Sequence, residues 1–317
     1  MRNAGFRRLA LNSISLKQMA LIVAALFFSV SCASAQHKSD SHHVDHSNGS
    51  GMPAEISETQ DWAKQRLAKS PRHQEWVKVK NGNREVNSFI VYPEVKEKAT
   101  AVIVIHEIFG LTDWVQTVAD QLAEAGYIAI APDLLSGMGP NGGGTSSFTE
   151  RNAVGQAIRD LPPDQITADL NAVAAYVSKV TGANGKVAVG GFCWGGAQTF
   201  RYATNNPNIK AAFVFYGSTP MITAEGPDKG SVDKAALAKV KAPVYGFYAG
   251  NDARINAALP KTNEAMKELG KTYDPVTYEG AGHGFMRAGE DPANTVEANK
   301  KARDEAWTRW KAILKKI

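Results

Sequence analysis

From residue 101 onward the chain alternates between two hydrophobic patterns. Short, largely apolar runs occur at 101–105, which is unbroken, and at 127–131, 186–189, 211–216 and 244–249, and 276–279 reads as a last strand. Runs of this kind predict strands buried on both faces of a sheet. Between them lie stretches whose apolar positions recur every three to four residues, as amphipathic helices require. The clearest are 113–125, with Trp114, Val115, Val118, Leu122 and Ala125 on one face, and 164–180, with Ile166, Leu170, Val173, Ala174 and Val177. Shorter helices are predicted at 197–202, 232–240 and 256–270. A closing one at 295–314 turns Val296, Ala302, Ala306, Trp307, Trp310, Ile313 and Leu314 inward. Upstream, 61–70 reads as a helix stopped by Pro71, and 75–80 and 85–92 as a hairpin around Asn81-Gly82-Asn83. The alternation predicts an α/β fold, a single domain with a largely parallel central sheet and helices on both faces. Functional groups in such sheets gather at the carboxyl ends of the strands.

The first 60 residues follow neither pattern. Arg2, Arg7, Arg8 and Lys17 precede an apolar run at 19–30, and Ala33-Ser34-Ala35 follows it. A basic region, an apolar region and an A-x-A site predict a secretory signal over 1–35, and so a periplasmic or secreted protein. An apolar run of about 12 residues falls short of the ~20 that span a bilayer, so no stable membrane span is expected in the mature form. Cys32 offers a lipoprotein alternative, behind the poor lipobox Ser29-Val30-Ser31, and Arg7-Arg8 a twin-arginine one. Residues 36–60 read as a disordered linker with His37, His42, His43 and His46, and 61–317 as the folded domain. A loose metal site in that tract is the competing reading.

Export changes the charge count. The chain carries 36 basic and 31 acidic residues, and four of the basic ones lie in the signal, which leaves 32 against 31. No basic patch argues for nucleic acid. Of two cysteines, Cys32 lies in the signal, so Cys193 has no intramolecular partner in the mature chain. A free thiol kept in an oxidising compartment points to chemistry.

The candidate chemistry is organised around Gly190-Gly191-Phe192-Cys193-Trp194-Gly195-Gly196. A strand, a tight glycine turn and a helix form a nucleophile elbow, with small residues two before and two after the nucleophile. A buried structural thiol is the competing reading of Cys193; glycines on both sides of a strand-to-helix junction favour the elbow. Asp252, in Gly250-Asn251-Asp252, follows the strand at 244–249, and His283, in Gly280-Ala281-Gly282-His283-Gly284-Phe285, follows the last strand. Read singly, Asp252 is equally a helix N-cap and His283 a loop histidine. Together they give the order nucleophile, acid, histidine that α/β-hydrolases use. A thiol needs a base near neutrality to take its proton, and a carboxylate on the other ring nitrogen fixes the imidazole tautomer. The oxyanion of acyl transfer would be held by the backbone amides of Trp194 and Ile108.

The chain from about 76 to 315 resembles the dienelactone hydrolase family of α/β-hydrolases (carboxymethylenebutenolidase-like). The resemblance rests on His106-Glu107-Ile108-Phe109-Gly110, Gly191-Phe192-Cys193-Trp194-Gly195-Gly196, Gly250-Asn251-Asp252 and Gly282-His283-Gly284-Phe285. It implies a Cys193–His283–Asp252 triad, with Glu107 contacting the resting thiol and moving when substrate binds. It also implies that arginines hold a substrate carboxylate: Arg287, four residues past the histidine, and Arg151, with Arg159 as the next candidate. Tyr216, at the end of its strand, is a further candidate substrate contact. The expected function is hydrolysis of small carboxylic esters or lactones, without metal or organic cofactor. A thioesterase or broad esterase, and a non-catalytic binding protein for an acidic small molecule, are the alternatives. Export and the histidine-rich tract depart from the family's usual cytoplasmic setting.

Overall fold

A computed structural model of the chain describes residues 60–317. The expected signal, Cys32 and the histidine-rich tract lie outside the described residues. Eight strands form one sheet: β1 (Gln74–Asn81), β2 (Arg84–Val91), β3 (Ala99–Ile105), β4 (Ile128–Pro132), β5 (Ala183–Phe192), β6 (Ala212–Phe215), β7 (Val244–Ala249) and β8 (Tyr273–Tyr278). Their order across the sheet is β1-β2-β4-β3-β5-β6-β7-β8. The hairpin pairs Asn81 with Arg84, and β2 pairs antiparallel with β4; every other neighbour is parallel.

The helices in chain order are α1 (Asp61–Ala68), α2 (Asp113–Glu124), α3 (Arg151–Arg159), α4 (Pro163–Val177), α5 (Trp194–Asn205), α6 (Lys234–Leu237), α7 (Ala253–Asn256), α8 (Leu259–Glu268), α9 (Phe285–Ala288) and α10 (Glu297–Leu314). They cover both faces. On β3, Ala101, Ile103 and Ile105 join a core with α3 to α8, whereas Val102 and Val104 join a second core with α1, α2, α9 and α10. This is the period-two alternation of a strand buried on both sides. The second core holds a chain of aromatic contacts, including Phe215 against Phe247 at 4.3 Å and against Trp310 at 4.8 Å. Trp310 of α10 sits in a notch over Gly190: a Cβ there would lie 2.8 Å from the indole. Among the described residues, no helix is long and apolar enough to cross a membrane.

The differences from the sequence reading have local causes. The helix expected at 256–270 begins only at Leu259, as α8, because Pro260 lies in its first turn, where a missing N–H starts a helix more readily than it continues one; the short α7 ends at Asn256. The segment 232–240 keeps only α6 as helix. α3 escapes the pattern because it is nine residues long, buries only Val154, Gly155 and Ile158, and carries a helix-weakening glycine. β8 begins before Pro275, which an edge strand tolerates. The parallel strands leave Glu107, Cys193, Tyr216, Asp252 and His283 just beyond their carboxyl ends, on one edge of the sheet.

Candidate active site

Cys193 occupies the bend between β5 and α5, with φ 55° and ψ −116°. A non-glycine residue in this region stores roughly 1–3 kcal/mol of strain, which the surrounding structure must hold in place. Here the backbone packs too closely to relax. A Cβ on Gly191 would lie 2.4 Å from the Gly195 carbonyl oxygen, and one on Gly195 would lie 2.3 Å from the His106 carbonyl oxygen. The elbow glycines are therefore required by space, and the second contact presses the elbow against the loop after β3 that carries Glu107 and Ile108. The Cys193 N–H donates to the Phe215 carbonyl at 3.0 Å, which fixes the bend to β6. The half-buried thiol stands at the N-terminus of α5.

His283 and Asp252 come together as the sequence order suggested. His283 Nδ1 lies 2.5 Å from Asp252 Oδ2. The other carboxylate oxygen, Oδ1, accepts the Ile255 N–H at 3.3 Å and caps α7. Asp252 thus caps a helix with one oxygen and meets an imidazole with the other. Burial works against charge on His283, but hydrogen bonds to Asp252 and to the Cys193 thiol outweigh it and raise the imidazole to about 9. Burial also pushes Asp252 up; the hydrogen bond and charge of His283 prevail and hold it below its ordinary range. Tyr216 packs edge-on against the His283 ring at 5.0 Å, is fully buried, and presents a hydroxyl with no hydrogen-bond partner among the described residues.

Glu107 and Arg287 are paired with each other. Arg287 Nε donates to Glu107 Oε2 at 2.7 Å, with Arg287 only 1% exposed and Glu107 3%. One oxygen of the carboxylate expected on the thiol is engaged by the guanidinium. Arg287, expected to hold a substrate carboxylate, is buried beside a protein carboxylate that needs a partner. Its Nη1 nevertheless has no hydrogen-bond partner among the described residues. Arg151 lies on the surface, its guanidinium 3.8 Å from the centre of the Phe109 ring, and Arg287 approaches the same ring at 5.5 Å. Arg151 and Phe109 line a cleft of 760 Å³ together with Trp76 and Phe148. Arg159 is exposed in the last turn of α3.

Several supporting residues were not singled out from the sequence. The buried His106 ring stacks on Trp194 at 5.5 Å. The Leu134 N–H donates to its Nε2 at 3.4 Å, so Nδ1 carries the proton and donates to the Glu107 carbonyl at 2.8 Å. Burial lowers its pKa and keeps it neutral. The ring thus joins the elbow, the loop carrying Ile108 and the loop after β4. Asp133 fastens that last loop by accepting from the Thr145 amide at 2.7 Å and hydroxyl at 2.8 Å. Thr145 Oγ1 in turn accepts the Leu111 N–H at 3.1 Å. Position immediately after a strand was the one available signal for His106 and Asp133. Among the described residues, no group of three or more histidine, cysteine or acidic side chains is arranged to hold a metal ion.

A mostly parallel sheet with a tight strand-to-helix turn after its central strand, and an acid and a histidine after the last two strands, has the α/β-hydrolase fold. The dienelactone hydrolase family model matches residues 86–317, and the chain belongs to that family. Two relatives share the name "Putative carboxymethylenebutenolidase". The one from Methylorubrum extorquens is 37% identical over 188 residues, which are 58% of this chain and 62% of that protein. The one from Salmonella typhimurium is 33% identical over 205 residues, 63% of this chain and 73% of that protein. The chain thus spans less than two thirds of the Methylorubrum protein's length. Among solved structures, a dienelactone hydrolase-type protein from Klebsiella pneumoniae superposes with a TM-score of 0.66 at 25% identity, over 78% of this chain and 99% of that one.

Proposed function

We propose that this chain hydrolyses carboxylic esters or lactones through a thioester formed on Cys193. The observation that carries the reading is the 2.5 Å contact between Asp252 and His283, on the same edge of the sheet as the thiol at the strained bend. His283 takes the thiol proton, which makes the reactive thiolate beside an imidazolium. The sulfur attacks the acyl carbon, and the carbonyl electrons move onto an oxyanion held by the Trp194 and Ile108 amides. As the tetrahedral adduct collapses, His283 gives its proton to the leaving alkoxide. The now neutral ring takes a proton from water, hydroxide attacks the thioester, and the carboxylic acid leaves as the thiolate re-forms. In a lactone the leaving alkoxide stays on the product as a hydroxyl group. Arg287, Arg151 and Tyr216 are the proposed substrate contacts. Residues 1–35 are proposed as the export signal and 36–60 as a linker.

The mechanism fixes a pH dependence. Activity needs the imidazolium, so kcat/KM falls as pH rises through about 9. Asp252→Asn removes the charge that raises His283, and moves this alkaline limb down toward the ordinary imidazole value of about 6.5. A limb that stays in place in that variant would contradict the pairing. The raised His283 also stabilises the fold, fully below about 6.5 and progressively less as pH passes through about 9. The activity itself is tested on residues 36–317 with a panel of p-nitrophenyl esters, lactones and thioesters, alongside iodoacetamide labelling of Cys193. Ester or lactone turnover that labelling abolishes supports the proposal. Turnover of thioesters alone would identify a thioesterase. A thiol that labels slowly, unaffected by substrate, in a protein that turns over nothing would identify a binding protein.

A further inference from the structure

The loop that presents His283 is short and glycine-rich, with Gly280, Gly282 and Gly284 around the histidine. Glycines give such a loop the freedom to reach over the elbow, and the same freedom lets it wander. Something must remove that freedom for the imidazole to stay within hydrogen-bond reach of both Asp252 and Cys193. On one side the neighbouring loop does so: the Asn251 N–H donates to the Ala281 carbonyl at 2.9 Å, and Asn251 Nδ2 donates to the Gly280 carbonyl at 3.1 Å. On the other side stands a residue far along the chain. The Gly282 N–H, the amide next to His283, donates to Asn299 Oδ1 at 2.8 Å.

Asn299 lies in the first turn of α10 and is 3% exposed. It cannot drift, because α10 is seated in three ways. Trp310 fills the notch at Gly190, and Arg303 pairs with Glu290 just beyond α9. Close packing at Gly289, where a Cβ would lie 2.5 Å from the Asn299 carbonyl oxygen, holds the backbone of Asn299 itself. A rigid helix thus offers one fixed acceptor to the peptide that aims the imidazole.

We propose that Asn299 is a positioning residue for His283, setting the ring's approach to Asp252 and Cys193 through the Gly282 amide. The inference rests on the Cys193–His283–Asp252 reading above. Its consequence is kinetic: without the acceptor the ring samples poses away from Asp252, and the contact that raises its pKa weakens. Asn299→Leu keeps the side-chain size and removes the acceptor. We expect kcat to fall about 10- to 100-fold, as for other small misplacements of a reacting group, with KM little changed. The alkaline limb of kcat/KM should move down from about 9. Asn299→Asp keeps an acceptor oxygen and should restore kcat, with the limb at or above its wild-type position. Wild-type kcat and limb in a folded Asn299→Leu protein would overturn the proposal, and so would a loss of kcat with the limb unmoved. Should Asn299→Leu fail to fold, Asn299→Gln displaces the same oxygen by one methylene and is read against the same outcomes. His283→Ala, run in parallel, separates the two levels: retained turnover there would remove the triad reading itself, whereas an inert Asn299 series beside a dead His283→Ala would remove only the role of Asn299.

Discussion

Cys193→Ala is expected to lower ester turnover by about ten-thousand-fold or more, the scale at which losing a nucleophile acts in a cooperating triad. The fold should survive. Alanine is no better and no worse than cysteine at the strained φ of 55°, and both leave the close approaches of Gly191 and Gly195 untouched. An unchanged Tm beside lost turnover of a short p-nitrophenyl ester is the result to look for. Turnover retained in a protein purified free of wild type would show that the sulfur takes no part.

The second large effect concerns stability. Arg287→Ala leaves the Glu107 carboxylate buried without the guanidinium it pairs with. Breaking such a pair costs about 3–5 kcal/mol, which in a domain of this size lowers Tm by on the order of 10 °C. The single substitution is therefore a poor probe of substrate binding, because its cost falls on folding. Replacing both partners, Glu107→Leu with Arg287→Met, fills the space without an orphaned charge and should be far better tolerated than Arg287→Ala. Comparing anionic with neutral esters in that double variant isolates any role of the guanidinium in holding a substrate carboxylate. If Arg287→Ala melts like the parent, the buried pair is not holding this edge of the sheet together.

Much of this architecture was legible because buried parallel strands are nearly all apolar. The run at 101–105 could be little else, and 244–249 coincides with β7 from end to end. The gathering of Cys193, Asp252 and His283 at one edge was legible because each follows a strand. Other features were hidden for physical reasons. The pairing of Glu107 with Arg287 joins positions 180 residues apart, and nothing local in either segment records it. Asn299 reads as an ordinary polar residue of an amphipathic helix, since its importance comes only from what α10 faces. The two duties of Asp252 looked like alternatives because a sequence position carries one letter, whereas a carboxylate carries two oxygens.

The order of the strands carries one more consequence. The sulfur rises from β5, which is flanked by β3 and β6, whereas the imidazole follows β8, the outermost strand, which pairs with β7 alone. Borders of a sheet fray before its middle does. In rising urea, ester turnover should therefore vanish ahead of the circular dichroism transition. The interval between the two should hold molecules whose centre is intact and whose thiol can be alkylated, but which have already lost their base.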